Sequence, residues 1–256
     1  MSAFGSYARY YDIIYSKKDY AGEIRYVHSL IQRYFPNCKS ILELGCGTGR
    51  HAELLCNLGY DVCGIDSSSE MLKLADRRAR DRHLPSTGEL SFVHGDIRNF
   101  QLDRRFDVVI GLFHVISYMT CNDDLRGVLR LVKEHLKPGG GLIFDCWYGP
   151  GVLSDSPVVK ELNLEEQDLE IVRTAKPVMR PNENIVEVNY HIAVRRKQSG
   201  EAEVIKEVHR MRYLFKPELE MFLSGAGMDI ITFEQWKTGK EPGLNTWSVC
   251  FVGKAR

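Results

Sequence analysis

Three glycines at alternate positions mark the segment best suited to bind a ligand. The sequence Ile41-Leu42-Glu43-Leu44-Gly45-Cys46-Gly47-Thr48-Gly49-Arg50 passes from an apolar strand through this glycine loop into a helical pattern. Glycine permits a tight turn and close approach of a ligand, and the first N–H groups of a helix are free donors. The spacing differs from the G-x-G-x-x-G of dinucleotide enzymes. The loop predicts a binding site, and a turn that uses glycine only for its geometry is the alternative.

Two aspartates end the next two predicted strands, at the sheet edge that also carries the glycine loop. Asp66 follows Gly49 by 17 residues, and Asp96 follows Gly95. A carboxylate at the first position accepts two hydrogen bonds from a ribose diol and repels a 2′-phosphate. Asp96 is suited to an exocyclic amine, and Ile97 to the face of an adenine ring. A helix N-cap is the alternative for Asp66 alone, but the three features together indicate a nucleoside site.

Further polar and aromatic residues lie where strands end, and they are candidates for contact with reacting groups. They are Tyr11, Tyr15, His114, Tyr118, Trp147, Tyr148, His191, Glu207 and His209. Each has a simpler alternative, because tyrosines pack helices and a histidine after a strand is often half-buried. Several arginines of the later segment either bind a pyrophosphate or form a solvated face: Arg173, Arg195, Arg196, Arg210 and Arg212.

Short apolar runs alternate with helical patterns through the first part of the chain. The strands predicted from these runs are Ser40–Leu44, Asp61–Ile65, Leu90–His94, Phe106–Leu112 and Gly141–Cys146. The predicted helices are Tyr20–Phe35, His51–Leu58, Ser69–Arg82 and Asn122–Leu136. This alternation predicts an α/β fold with a parallel sheet covered by helices on both faces.

The pattern changes after Pro150. Ile185–Arg195 alternates strictly between apolar and polar residues, which is typical of a half-buried antiparallel strand. With Leu169–Thr174 and Val204–Leu214 as its neighbours, it predicts a three-stranded antiparallel meander. We predict that residues 150–214 form an inserted lid or substrate subdomain. The remaining domain would comprise residues 1–149 and 215–256, with a helical cover at its N-terminus, a helix over Lys216–Ser224 and closing strands over Asp229–Glu234 and Trp247–Gly253.

Composition excludes several classes of protein. The 256 residues carry 34 basic and 34 acidic side chains, and residues 1–150 hold 19 and 18 of them, so neither part has the cationic surplus of a nucleic-acid binder. The seven cysteines are an odd number without a CxxC pair, which indicates a reducing compartment. No apolar run approaches the roughly 20 residues of a membrane span. We expect a cytoplasmic protein with no nucleic-acid or membrane partner.

The motifs at the strand ends together resemble those of class I S-adenosylmethionine-dependent methyltransferases. They are ELGCGTG, Asp66, Gly95-Asp96-Ile97 and the turn Leu136-Lys137-Pro138-Gly139-Gly140. The resemblance implies a Rossmann-like sheet whose last strand is antiparallel, S-adenosyl-L-methionine as the cofactor and S-adenosyl-L-homocysteine as the product. It assigns the methionine end of the cofactor to Glu43, Gly45, Cys46 and Gly47, the ribose to Asp66, and adenine to Asp96 and Ile97. Other residues expected around the cofactor are Tyr15, Ser67, Met71 and Phe113.

A narrower resemblance extends along the whole chain. The order of several short motifs is similar to that in bacterial N-methyltransferases of nucleotide (TDP)-linked deoxyamino sugars. The motifs are Tyr11-Asp12 with Lys18-Asp19-Tyr20, Trp147-Tyr148, the meander and Glu207-x-His209-Arg210. The resemblance implies a small-molecule acceptor, for which the expected contacts are Trp147, Tyr148, His191, Glu207 and Arg210. Catalytic roles are expected for Tyr11, His114, Tyr118 and His209. Members of that group carry a histidine where this chain has Tyr118, so the identity of the base stays open.

Alternatives remain at this level. The acceptor is alternatively another small metabolite methylated on oxygen or nitrogen, or the fold binds its cofactor without catalysis. No metal site is expected, because Gly111-Leu112-Phe113-His114 at the end of the fourth strand contains no carboxylate. An exposed edge of the meander would allow a homodimer by strand pairing.

Overall fold

A seven-stranded sheet forms the centre of the chain. The computed structural model describes residues 7–81 and 88–256, so residues 1–6 and the predicted helix end at Arg82 lie outside the described part. The strand order is β10-β11-β5-β4-β1-β2-β3, and β11 runs antiparallel to both of its neighbours. The predicted mostly parallel sheet with an antiparallel last strand is confirmed. The strands are β1 Ser40–Leu44, β2 Asp61–Asp66, β3 Leu90–His94, β4 Phe106–Gly111, β5 Leu136–Trp147, β10 Met228–Gln235 and β11 Ser248–Ala255.

Helices cover both faces of this sheet because its strands carry apolar side chains on both sides. Leu42 packs in the core on one face, and its neighbour Ile41 packs in the core on the other. Burial of side chains of this size stabilises the fold by about 1.5–3 kcal/mol each. The helices are α1 Ala8–Ile14, α2 Tyr20–Tyr34, α3 Arg50–Asn57, α4 Ser69–Arg80, α5 Asn122–His135, α6 Gly149–Ser154 and α7 Lys216–Gly225. None of the described helices is both long and apolar enough to cross a membrane.

The segment between α6 and α7 forms a separate antiparallel sheet of four strands. They are β6 Lys160–Glu165, β7 Leu169–Arg180, β8 Ile185–Arg196 and β9 Ala202–Arg212, paired in chain order. The prediction of three strands is wrong because β6 was missed. Its sequence KELNLE has only Leu162 and Leu164 as apolar residues, and both are partly buried against the apolar cluster that α1 forms with the insert.

The short helix α1 packs against the insert. Tyr7, directly before α1, and Tyr10 and Ile14 within it form one apolar cluster with residues of the insert that include Ile171 and Ile192. The N-terminal helix is thus in contact with the antiparallel sheet, and its residues reach the carboxyl edge of the parallel sheet through the contacts described below.

Candidate active site

The glycine loop has the backbone geometry that its sequence predicts. Gly45, Gly47 and Gly49 have φ values of 61°, 54° and 74°, which L side chains rarely adopt. A Cβ added to Gly45 would lie 2.7 Å from Val115, whereas a Cβ added to Gly47 would have no neighbour within 4 Å. Gly47 therefore lines an open space above the loop. Gly49 directly precedes α3, so the free N–H groups of that helix begin at the end of the loop.

Asp66 connects the glycine loop to the start of α4. Its Oδ2 accepts a hydrogen bond from the N–H of Gly47, and its Oδ1 accepts one from the N–H of Ser68, both at 2.8 Å. Burial raises the pKa of Asp66 above its ordinary value, and the two backbone donors act in the opposite direction. The carboxylate thus lies beside the open space over Gly47, as a ribose-binding role requires.

Glu43 is an almost completely buried carboxylate at the end of β1. It is 1% exposed, and its Oε1 lies 3.5 Å from Nδ1 of His51, whose Nε2 lies 2.8 Å from a carboxylate oxygen of Glu23. The second oxygen, Oε2, has no hydrogen-bond partner within residues 7–81 and 88–256. A buried charge without a full set of partners is costly. Glu43 is therefore suited to a cationic ligand such as the α-ammonium group of a bound amino acid.

Other residues predicted around the cofactor differ in exposure. Cys46, Met71 and Ile97 are buried at 6%, 2% and 8% exposure, whereas Ser67 is exposed. The N–H of Cys46 donates to the carbonyl of Ile65, which fixes the loop against β2. Burial raises the pKa of the Cys46 thiol well above its ordinary value. The thiol is therefore protonated and acts as a small apolar group.

Asp96 forms an ion pair that the sequence did not predict. Both of its carboxylate oxygens accept hydrogen bonds from the guanidinium of Arg98, with the shortest contact at 2.5 Å. The backbone N–H of Arg98 also donates to Asp96, and these contacts lower the pKa of the carboxyl group. An adenine amine would therefore share this carboxylate with Arg98, and the assignment of Asp96 to adenine stays a prediction.

Aromatic rings from three parts of the chain meet above the carboxyl ends of the strands. Tyr11 and Tyr15 lie 4.7 Å apart between ring centroids, and Tyr15 packs edge-on against Phe113 at 5.1 Å. Tyr7 stacks on Tyr190 of the insert at 6.3 Å. We call this group the ring cluster; its members are Tyr7, Tyr11, Tyr15, Phe113, Tyr118, Tyr190 and His209. It joins α1, the end of β4 and the insert.

Tyr118, His209 and Glu207 form a chain of hydrogen bonds within this region. The hydroxyl of Tyr118 lies 2.7 Å from Nδ1 of His209, and Nε2 of His209 lies 3.0 Å from a carboxylate oxygen of Glu207. A carboxylate only accepts hydrogen bonds, so Nε2 carries the hydrogen and Nδ1 accepts that of Tyr118. Burial raises the pKa of Tyr118 well above its ordinary value. The tyrosine is thus neutral and is aligned to pass its proton to His209.

His114 occupies a strained turn directly after β4. His114 and the preceding Phe113 both have φ of 64°, an unusual conformation for two consecutive residues that are not glycine. Nδ1 of His114 lies 2.6 Å from the buried carboxylate of Asp145, but without the alignment of a hydrogen bond. Asp145 instead accepts the backbone N–H of His114 at 3.2 Å. The ring of Trp147 lies 6.1 Å from that of His114, so both lie at the same strand ends.

Asp12 ties α1 to the glycine loop. Its Oδ1 accepts hydrogen bonds from Oγ1 of Thr48 at 2.8 Å and from Nε of Arg50 at 3.1 Å. Its Oδ2 accepts one from Arg78 of α4 at 2.5 Å. Neither Asp12 nor Asp145 was predicted as a site residue. The signal for Asp145 was a carboxylate within the apolar run of β5, and Asp12 was marked only by its neighbouring tyrosines.

Three residues expected to bind the acceptor lie away from the ring cluster. Tyr148 packs against Phe233 in the core of the parallel sheet, with ring centroids 5.4 Å apart. His191 is exposed and Arg210 forms an exposed ion pair with Glu183, because each alternates with a residue of the inward face of its strand. Contact of these three residues with an acceptor stays a prediction. Trp147 lies against the insert, in one cluster with buried residues of β8 and with Tyr213.

The fold and the site define a doubly wound α/β protein with a candidate ligand site at the carboxyl ends of β1 to β3. A family model described as a methyltransferase domain matches residues 41–140. The dTDP-3-amino-3,4,6-trideoxy-alpha-D-glucopyranose N,N-dimethyltransferase of Streptomyces venezuelae is 27% identical over 91% of this chain and 94% of its own length.

Two solved structures extend this likeness to the fold. Streptomyces venezuelae DesVI has a TM-score of 0.79 at 25% identity over 98% of both chains. An S-adenosylmethionine-dependent methyltransferase from Clostridium acetobutylicum ATCC 824 has a TM-score of 0.80 at 22% identity over 99% of both chains. The methyltransferase-domain match and the relatives named as methyltransferases support an S-adenosylmethionine-dependent methyltransferase enzyme, as the sequence predicted.

Proposed function

We propose that this enzyme methylates the amino group of a nucleotide-linked amino sugar. The relative from Streptomyces venezuelae that covers most of the chain is named for such an acceptor. The observation that carries the proposal is the Tyr118–His209–Glu207 chain, which can take a proton from an amine. An ammonium group has no lone pair for attack, so an N-methyltransferase benefits from a group that accepts this proton.

The residues at the glycine loop fit S-adenosylmethionine. When bound, the cofactor supplies a methyl group on a positively charged sulfur. The unpaired Oε2 of Glu43 would receive the ammonium of its methionine part, and the open space over Gly47 would admit its backbone. Asp66 would accept the ribose hydroxyls. Alignment of acceptor and methyl group is the main contribution of such a site, and effective alignment is worth about 7–11 kcal/mol in favourable intramolecular reactions.

The observed hydrogen bonds support a route by which the amine loses its proton. The hydroxyl oxygen of Tyr118 accepts a hydrogen bond from the acceptor amine while its own hydrogen points to Nδ1 of His209. As the amine loses its proton to Tyr118, Tyr118 transfers its hydroxyl proton to His209. Glu207 stabilises the imidazolium that results and fixes the orientation of the ring. Nδ1 of His114 has no aligned hydrogen-bond partner in the described part of the chain, so we assign His114 to the shape of the turn, together with Phe113.

The insert closes the acceptor side of this site in our proposal. Glu207, His209 and Tyr190 lie on one of its strand faces, and Trp147 lies against the same sheet. We propose that residues 150–214 act as a substrate subdomain and that residues 1–149 and 215–256 bind the cofactor. Tyr11, whose pKa burial raises well above its ordinary value, shields the site from water together with Tyr15.

Methylation of defined acceptors tests this function. The full chain is incubated with S-adenosylmethionine and TDP-linked 3-amino or 4-amino deoxysugars, and product masses are compared with those from panels of other amines and phenols. We expect methylated TDP-amino sugar and S-adenosylhomocysteine. Tyr118→Phe should lower kcat about 10²–10⁴-fold, and Tyr60→Phe, whose hydroxyl contacts His28 on α2, is the matched control. If only the other amines or phenols are methylated, the acceptor is another metabolite and not a nucleotide-linked amino sugar.

We further propose that the enzyme acts in the cytoplasm, without a nucleic-acid partner and as a homodimer. The seven cysteines without a CxxC pair support a reducing compartment, and the balanced charge of both parts of the chain supports the absence of a nucleic-acid partner. Val172 of β7 and Val204 of the edge strand β9 are 38% and 61% exposed on the outer face of the insert, and a second copy of the chain would cover them. Light scattering after gel filtration, with Val204→Glu as the interface variant, tests the dimer.

A further inference from the structure

Arg173 of β7 points into the ring cluster from the insert. Its Nη1 donates hydrogen bonds to the hydroxyls of Tyr15 at 3.1 Å and Tyr7 at 3.4 Å. Its guanidinium carbon lies 5.4 Å from the ring centroids of both Tyr15 and Tyr190. The arginine is half-buried, and Nε is fully covered without a hydrogen-bond partner among the described residues. A positive charge is thus held between aromatic rings by two neutral hydroxyls.

Arg173 differs in charge balance from four other arginines of the insert. Within residues 7–81 and 88–256, no carboxylate lies within 4 Å of its side-chain nitrogens. Those four arginines each have an acidic partner: Arg195 pairs with Glu170, Arg196 with Glu201, Arg210 with Glu183, and Arg212 with Glu218. Arg180, at the end of β7, is exposed to solvent. A half-buried guanidinium that contacts only neutral groups lacks the counter-charge that normally offsets its desolvation. An anionic ligand would supply that charge.

We infer that Arg173 binds the diphosphate group of the acceptor. The inference rests on the proposed function, in which the acceptor carries a nucleoside diphosphate. Guanidinium presents paired N–H donors that match phosphate oxygens. Arg173 shares one side of the ring cluster with His209, since the ring of Tyr190 lies 4.9 Å from His209 and 5.4 Å from the guanidinium carbon. An acceptor bound at Arg173 thus extends past Tyr190 to the proton-accepting chain.

The carboxylate of the cofactor is the other anion that the same guanidinium would attract. Two features favour the acceptor. Arg173 belongs to the insert and not to the sheet that carries the glycine loop. It also contacts Tyr7, which stacks on Tyr190 of the insert. The experiment below therefore measures the two ligands separately.

Calorimetric binding of thymidine diphosphate and of S-adenosylhomocysteine to the full chain tests the inference. Arg173→Gln should weaken thymidine diphosphate binding about 10–100-fold, and Arg173→Lys should retain part of the affinity. Thymidine, which lacks the diphosphate, should bind equally to both variants and to the parent. Affinity for S-adenosylhomocysteine should not change in either variant. Arg195→Gln, on the outer face and paired with Glu170, is the matched control.

Two results would overturn the inference: unchanged thymidine diphosphate affinity in Arg173→Gln, or a loss that affects S-adenosylhomocysteine instead. Thermal unfolding of each variant separates a loss of contact from a loss of fold, and the lysine variant keeps the test valid if the glutamine variant is unstable. The binding assay requires no methyl transfer. Thymidine diphosphate binding through Arg173 without turnover of TDP-amino sugars would therefore reject the proposed acceptor amine and retain the diphosphate site.

Discussion

At the scale of single residues, the Glu43 carboxylate is the site group whose hydrogen bonding is most clearly incomplete within the described residues. Its buried Oε2 has no partner among the described residues, and one histidine at 3.5 Å is its nearest counter-charge. Glu43→Gln keeps the shape and removes the charge that an ammonium group would contact. We expect S-adenosylhomocysteine to bind about 10–100-fold more weakly, since a hydrogen bond to a charged group contributes roughly 1.5–3 kcal/mol, while the free protein is no less stable.

Calorimetry and thermal unfolding check this prediction. Glu134→Gln on α5 is the control, because that carboxylate is exposed and pairs only with Arg130 among the described residues. Equal affinity in Glu43→Gln and the parent would show that the cofactor does not use this carboxylate.

Asp66 leads to a prediction about pH. Burial raises its pKa in the folded protein above the ordinary value of 3.8. The folded state therefore binds this proton more tightly than the unfolded state, so the contribution of Asp66 to stability rises as pH falls through its folded pKa. Cofactor binding has the opposite sign, because only the carboxylate accepts both ribose hydroxyls. We expect affinity for S-adenosylhomocysteine to decrease on acidification from about pH 7. The decrease should occur at a higher pH than it would if the aspartate had an ordinary pKa.

The Asp66→Asn variant separates this effect from other titrations. It should bind S-adenosylhomocysteine more weakly than the parent at neutral pH. Its affinity should also lose the part of the pH dependence that comes from Asp66. A pH profile that is the same in the parent and in Asp66→Asn would assign the dependence to another group.

The residues themselves were more predictable than their pairings. Strand ends and alternation indicated Asp66 and His209 as candidate site residues, and the family resemblance indicated Glu43. The sequence did not reveal that Tyr118 meets His209, since 91 residues separate them and their contact depends on how the insert folds back. His191 was expected at the acceptor and is exposed, because neighbouring residues of a strand face opposite sides of a sheet.

At the scale of elements, α1 depends on Asp12 for its position over the glycine loop. This one side chain accepts hydrogen bonds from Thr48, Arg50 and Arg78, which belong to the loop, α3 and α4. Asp12→Asn weakens all three contacts without removing an apolar group. Because the side chain is partly exposed, we expect an effect of about 1 kcal/mol, seen as a roughly fivefold loss of cofactor affinity.

Hydrogen exchange of the α1 amides measures the same change directly. Exchange should become faster in Asp12→Asn, with little change in the unfolding temperature of the whole chain. Asp19→Asn is the matched control, because Asp19 also lies in the N-terminal segment but caps α2 and pairs with Lys237. Equal exchange of α1 in both variants would show that Asp12 does not hold the helix.

Elements with a clear apolar pattern were predicted from the sequence, whereas elements without one were missed. The strands β1 and β3 have the predicted bounds because their apolar runs end at glycine or polar residues. The strand β6 was missed, since an exposed edge strand needs few apolar side chains and its pairing with β7 supplies the regularity. The sequence also did not predict the strained turn at Phe113 and His114, because neither residue type favours a positive φ.

At the scale of the whole molecule, α1 connects the cofactor side to the acceptor side. Asp12 binds the glycine loop, Tyr7 and Ile14 pack on the insert, and Tyr15 contacts Phe113 with its ring and Arg173 with its hydroxyl. A ligand that fixes the glycine loop should therefore fix α1, and with it the groups that meet the acceptor. The two ligands are expected to bind with positive cooperativity.

Calorimetry in both orders of addition measures this coupling. We expect S-adenosylhomocysteine to raise the affinity for thymidine diphosphate by about 5–150-fold, which corresponds to a coupling free energy of roughly 1–3 kcal/mol. Thymidine diphosphate must raise the affinity for S-adenosylhomocysteine by the same factor, since the coupling of two binding equilibria is reciprocal. Asp12→Asn should reduce the factor in both directions, whereas Asp19→Asn should leave it unchanged. If each ligand binds with the same affinity whether or not the other is already bound, the two sites are independent and α1 does not couple them.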